Sequence, residues 1–325
     1  MIKKILAVVF AGLFALACAK QQLGDMESAD ASKNGKPLTK SCTATDPGVG
    51  SDGAAAYGSD FASWLNNNGY SALASTEGWG GKQYSSDCAA YWEPVIFIHG
   101  NADYAQGWSD IRDDFITYGY YPSEVYAIGY GLKGTLNASY NHHKAEYMQR
   151  IRSFITAVKA YTGKSKVDVI AHSLGVTLSR KAIKGGNAYN TADRSGAAVA
   201  LGSSMQSSVD TFVGIAGGNR GLLSCGWYPY NMPADTCRAN GLSVDNPFIN
   251  DLGWGGDEGS YTYAIYSWVD EVVCSTGTCY VWYSHSSYIS GQDGSSQYYS
   301  VPYGHFGVRN YTASTQIDMV LNHTY

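Results

Sequence analysis

Val167-Asp168-Val169-Ile170-Ala171-His172-Ser173-Leu174-Gly175-Val176 begins as a short apolar run and ends as the start of a helix. Val167 to Ile170 has the pattern of a strand covered on both faces, and Leu174 to Ile183 carries the apolar spacing of a helix. Ser173 stands at the corner between them. A turn that sharp strains the serine backbone and leaves little room two positions to either side, where the residues are Ala171 and Gly175. Ala171 replaces the commoner Gly and meets nearly the same steric demand. The helix that starts at Leu174 aims its first N–H groups and its positive end at the space beside the hydroxyl.

Upstream, Val95-Ile96-Phe97-Ile98 is a second buried run, which opens into His99-Gly100-Asn101, and Val125 to Ile128 is a third. Between these two, Trp108 to Tyr118 has helical spacing. From His143 to Tyr161 the apolar residues Tyr147, Ile151, Ile155 and Val158 form one face of a long amphipathic helix, stopped by Gly163. Downstream, Val209 to Ile215 and Tyr263 to Ser267 add strands, and Thr315 to Leu321 adds a closing helix. Strands alternating with helices predict a mostly parallel sheet with helices on both faces, in a single domain over residues 42–325. Ser51 to Tyr91, rich in Gly, Ser, Asn and Tyr, is expected to wrap that domain as loops and short helices.

A serine hydroxyl needs a base to become a nucleophile, and the base needs an acid to orient it. Of seven histidines, His305 fits best, in a glycine-flanked loop just before the last helix; His285 is the alternative. The acid should follow a strand between the serine and the histidine. Asp270 does so after Tyr263–Ser267, with Glu271, Asp257 and Asp293 as alternatives. Charge on a substrate oxygen needs N–H donors, and those of Asn101 and Leu174 are expected to supply them. His99 is read as a packing residue that orients its loop.

The 325 residues are 45% hydrophobic and 15% charged, which excludes a disordered chain. A net charge of −5 without a Lys/Arg cluster provides no field for a polyanion, so nucleic acid is not an expected partner. A monomer is expected. With 27 Tyr and eight Trp, the surface suits contact with apolar matter; Tyr228, Tyr230 and Tyr288 are candidate adsorption residues.

Lys3 and Lys4 precede an apolar run from Ile5 to Leu16, too short for a permanent span, so residues 1–17 read as a signal peptide. Ala15-Leu16-Ala17-Cys18 resembles a bacterial lipobox, which implies lipidation of Cys18, membrane anchoring through it, and a polar tether over 18–41. The expected location is the outer membrane or cell surface as a lipoprotein, or the extracellular medium. Six further cysteines, Cys42, Cys88, Cys225, Cys237, Cys274 and Cys279, form an even set suited to an oxidising compartment. Pairing of neighbours (42–88, 225–237, 274–279) is the expectation among about fifteen possibilities. No zinc-type spacing occurs in the sequence, and no metal or other cofactor is expected.

The stretches "PVIFIHGNAD" from Pro94, "VKAYTGKSKVDVIAHSLGV" from Val158, "GIAGGNRGLLSC" from Gly214 and "GHFGVRNYT" from Gly304 resemble the class 2 bacterial lipases. They resemble more closely an extracellular poly(3-hydroxybutyrate) depolymerase of the same fold, which shares the Ala-His-Ser-x-Gly corner. The resemblance implies an α/β-hydrolase fold with Ser173 as nucleophile, Asp270 as acid, His305 as base, and Asn101 with Leu174 as oxyanion donors. The implied activity is hydrolysis of a carboxylic ester in a lipid or polyester, through an acyl-enzyme. An amidase or peptidase with the same three residues, and a catalytically silent lipid-anchored binding protein, are the competing readings.

Overall fold

The computed structural model describes residues 56–82, 88–253 and 255–325. The leader 1–17, the tether 18–41, Cys18 and Cys42, and with Cys42 the 42–88 pairing, lie outside them.

Seven strands form the central sheet: β1 (Gly78–Gly80), β2 (Val95–Ile98), β3 (Val125–Ile128), β4 (Val167–His172), β5 (Val209–Ile215), β6 (Tyr261–Ser267) and β7 (Gly294–Tyr298). Their order is β1-β3-β2-β4-β5-β6-β7. Only β1 runs antiparallel to its neighbour; β2 through β7 are parallel. The apolar runs at 95–98, 125–128 and 209–215 coincide with strands, while β4 runs on to His172 and β6 begins at Tyr261. The edge strands β1 and β7 lack the apolar run of a central strand: Gly78-Trp79-Gly80 is held by pairing with β3, and Gly294-Ser295-Ser296-Gln297-Tyr298 by pairing with β6.

Alternate side chains of the central strands enter two cores. Ile96, Ile98, Val169 and Ala171 face α1 (Ser59–Asn67), α3 (Ala145–Thr162) and α4 (Leu174–Lys184), whose Phe61, Met148, Phe154 and Leu178 fill that side. Val95, Phe97, Ile170 and Val213 face α2 (Ser109–Tyr118) and α7 (Ala313–Ile317) through Ile111, Phe115 and Ile317. Burial on both faces is why these strands read as unbroken apolar runs rather than alternating ones. On the second side the Phe97 ring lies 5.1 Å from Trp108 and 5.3 Å from Phe115. α5 (Pro247–Leu252) and α6 (Gly307–Asn310) are short. The closing helix begins at Ala313 and passes into a wider turn over Asp318–Asn322.

Cys225–Cys237 and Cys274–Cys279 are disulfide-bonded, as expected from their adjacency. Among the described residues no helix is long and apolar enough to cross a membrane.

Candidate active site

Ser173 caps the N-terminus of α4 at φ 55° and ψ −127°, outside the regions a side-chain-bearing residue prefers. Its N–H donates to the Ile215 carbonyl of β5 at 2.8 Å, and its carbonyl accepts from Val176 at 3.0 Å, so the corner is tied to the sheet and to the helix. The small neighbours have steric causes. A Cβ on Gly175 would overlap the His99 carbonyl oxygen and come within 3.0 Å of that of Ile98. Ala171 is fully buried between Ile98 of β2 and Gly214 of β5.

The histidine and the acid arrive from the far part of the chain. His305 Nε2 lies 3.0 Å from Ser173 Oγ, and its Nδ1 lies 2.8 Å from Asp270 Oδ2 and 3.0 Å from Oδ1. Asp270 sits three residues past β6, almost fully buried, and its Oδ1 also accepts the N–H groups of Val272 and Val273 at 2.8 Å each. Those bonds disperse the charge of a buried carboxylate. Because a carboxylate only accepts, His305 donates from Nδ1 and keeps a lone pair on Nε2 directed at the serine.

The main chain of His305 is held as well. Its N–H donates to Glu271 Oε2 at 2.9 Å, and its carbonyl accepts from His172 Nε2 at 2.9 Å. Burial pushes the His172 pKa well below the usual histidine value, with the neighbouring His305 adding to the effect, so His172 is a neutral donor.

The loop after β2 closes the other side of the hydroxyl. Gly100 packs so tightly against the corner that a Cβ there would lie 3.0 Å from Ser173 Cβ. The Asn101 side chain is clamped, donating to the Ala138 carbonyl and accepting from Asn141 Nδ2, each at 2.9 Å. Among the described residues neither the Asn101 nor the Leu174 N–H donates to a protein acceptor. His99 is buried below, stacked on Tyr130 at 4.3 Å, its Nδ1 donating to the Gly100 carbonyl and its Nε2 accepting from Lys133 at 2.7 Å. Burial and Lys133 push its pKa well below normal, and it has no line to the serine hydroxyl, which matches its reading as a packing residue.

The alternatives are engaged elsewhere. His285 spends Nε2 on the Ser267 carbonyl at 3.1 Å and Nδ1 on the Ser287 N–H at 3.1 Å. Asp257 pairs with Lys184 at 3.4 Å, and Asp293 accepts from Thr262 at 2.7 Å. Cys274, Cys279 and His285 cluster closely, but both sulfurs are spent in the disulfide.

Sequence reasoning missed the supports. Asp103 meets Arg309 at 2.6 Å, joining the loop after β2 to the helix after His305, although 206 residues separate them. Both charges lie inside the quoted stretches "PVIFIHGNAD" and "GHFGVRNYT", and that shared location was the available signal. Tyr228 and Tyr230 are exposed, at 39% and 92%. Tyr288 is partly buried, with the Arg220 guanidinium 5.8 Å from its ring, and lines an open pocket with Arg180, Asn219 and Trp282.

The chain matches the family described as lipase (class 2) over residues 92–318, a span that contains Ser173, Asp270 and His305. No curated protein matches it. Similar solved structures include Aspergillus fumigatus lipase B, at 21% identity over 64% of this chain and 44% of that one with a TM-score of 0.42. This chain therefore spans less than half of that lipase. The mature form of a Bacillus licheniformis lipase aligns at 11% identity over 74% of this chain and 96% of that one, TM-score 0.48. A truncated carbohydrate esterase from gut microbiota aligns at 13% identity over 74% and 95%, TM-score 0.43. With its parallel sheet, helices on both faces and matched span, the chain is an α/β-hydrolase and belongs to the class 2 lipase family.

Proposed function

We propose that the protein is an exported serine carboxylic-ester hydrolase that works through an acyl-enzyme on Ser173. One observation carries the reading: a hydroxyl on a strained corner, 3.0 Å from an imidazole nitrogen whose ring is held from behind by a buried carboxylate.

Ser173 Oγ attacks the ester carbonyl while its proton passes to His305 Nε2. Asp270 keeps the remaining N–H on Nδ1 and stabilises the imidazolium. Negative charge gathers on the carbonyl oxygen, where the N–H groups of Asn101 and Leu174 receive it at the positive end of α4. The tetrahedral adduct collapses, the C–O bond to the alcohol breaks, and His305 returns the proton to the departing oxygen. Water then attacks the acyl-serine, His305 taking its proton, and the acid leaves with Ser173 restored.

The surroundings of the site support a substrate class. The Thr236 hydroxyl lies between the carbonyls of Ala138 and Asn141, either of which can take its one proton, so the Cys225–Cys237 loop abuts the segment that clamps Asn101. These two segments expose Leu136 (92%), Tyr140 (57%), Trp227 (42%), Tyr230 (92%) and Met232 (54%). Such a rim suits an aggregated apolar ester, with burial of apolar area contributing ~25 cal/mol per Å². The substrate is a polyester of short hydroxy acids or an acylglycerol. The two disulfides support export to an oxidising compartment, with Cys18 as the lipid anchor. The test is clearing of poly(3-hydroxybutyrate) granules against clearing of a tributyrin emulsion, with Ser173→Ala as control. Clearing of one or both that disappears in the variant supports the reading. No clearing of either, or clearing that survives Ser173→Ala, overturns it.

A further inference from the structure

The geometry points to Glu271 as a positioning residue that fixes the main chain of the histidine whose side chain Asp270 orients. This rests on the reading of Ser173, His305 and Asp270 as the catalytic set. Two consecutive carboxylates grip one residue: Asp270 takes the His305 ring at 2.8 Å, and Glu271 takes the His305 backbone N–H at 2.9 Å. On the opposite side of the same residue, His172 donates to the carbonyl at 2.9 Å.

The need for such a clamp is visible in the loop itself. His305 lies on the segment between β7 and α6, where Val301 is 84% exposed and Phe306 48% exposed, while Tyr303 stacks on Tyr298 at 4.2 Å. Peptide hydrogen bonds add to that packing at the histidine itself, where a drift of the backbone carries Nε2 away from the serine. The turn that bears Glu271 is rigid. Asp270 Oδ1 binds Val272 and Val273, the Asp270 carbonyl accepts from Cys274 at 3.0 Å, and the Cys274–Cys279 bridge closes the turn. Gly304 completes the fit, since a Cβ there would press into Glu271 Oε2. The carboxylate approaches because residue 304 has no side chain.

Glu271 is on the surface, so its replacement does not open the core. The experiment compares full-length Glu271→Ala, Glu271→Gln and Ser173→Ala with the parent protein in p-nitrophenyl butyrate hydrolysis, with thermal melting alongside. Glu271→Ala should lower kcat about tenfold, leave KM within about twofold and keep the melting temperature, while Glu271→Gln, whose amide oxygen accepts the same N–H, should recover most of that turnover. A purely structural role predicts a lowered melting temperature and no rescue. Parent-like kcat in Glu271→Ala, a change confined to KM, or a Gln variant as slow as the Ala variant would overturn the inference. Ser173→Ala separates the two claims. If it is inactive while Glu271→Ala is normal, only the positioning role fails; if it is active, the catalytic set itself is wrong.

Discussion

Asp270→Asn exchanges one carboxylate oxygen for an NH2 group of the same shape, and the structure fixes which oxygen. Oδ1 accepts the N–H groups of Val272 and Val273, both at 2.8 Å, while Oδ2 faces His305 Nδ1 at 2.8 Å. The variant keeps its amide oxygen on the two backbone donors and turns the NH2 toward Nδ1. That nitrogen must then accept, so the ring proton moves to Nε2, the atom 3.0 Å from Ser173 Oγ. The base has lost its lone pair. Restoring it requires the amide to flip its NH2 onto two N–H donors, which forfeits two hydrogen bonds, one to the buried Val273 and one to the part-buried Val272 N–H, at about 1–3 kcal/mol each. A total of about 2–6 kcal/mol corresponds to a loss in kcat of roughly thirty-fold to 10⁴-fold at 1.36 kcal/mol per decade. The assay is p-nitrophenyl butyrate turnover near neutral pH, with nitrogen-15 NMR of the histidine ring to locate the proton. A variant within about threefold of the parent rate would refute the tautomer argument. So would one whose His305 still carries its proton on Nδ1.

Gly175→Ala drives a methyl group into the His99 carbonyl and within 3.0 Å of that of Ile98, backbone atoms that yield poorly. We expect kcat/KM to fall by at least about tenfold, with a stability loss of ~1–3 kcal/mol in denaturant titration, because the end of β2 and the Asn101 loop must move. Parent-like activity would show that the corner has slack. His143 is buried against Phe248 and bonded to Thr177, and burial pushes its pKa down to about 3. Its unfolded value is about 6.5, so below that pH the unfolded chain takes up a proton the folded chain refuses. The stability it contributes is complete above about pH 6.5 and is lost at up to about 1.4 kcal/mol per pH unit as pH falls toward 3. His143→Gln should flatten that slope in denaturant titrations between about pH 6 and pH 4, and an unchanged slope would assign the acid sensitivity to other groups.

The sequence revealed what depends on local pattern and left out what depends on distant contact. Apolar runs such as Val95–Ile98 and Val209–Ile215 were legible because a strand buried on both faces has no polar alternation to confuse it. Ser173 was legible because its strained corner needs small neighbours, and His305 because it stands in a glycine-flanked loop before the closing helix. The edge strands β1 and β7 were not, since Gly78–Gly80 and Gly294–Tyr298 owe their conformation to partners far along the chain. The same holds for the supports of the site. Nothing local distinguishes Glu271 from Asp270 until their oxygens are placed, one on a ring nitrogen and the other on a backbone N–H. The partial burial of Tyr288 was equally illegible, since a loop tyrosine gives no local sign that its ring sits near a distant guanidinium, here that of Arg220.

Covalent trapping with a fluorophosphonate shows whether Ser173 is the nucleophile, because the reagent is attacked by an activated serine and stops at the adduct. The prediction is one adduct per chain, located by peptide mass on Ser173, with activity falling in step and labelling slowed at least about a hundredfold in His305→Ala. Loss of activity with the adduct on another residue, or full activity with Ser173 fully labelled, would contradict it.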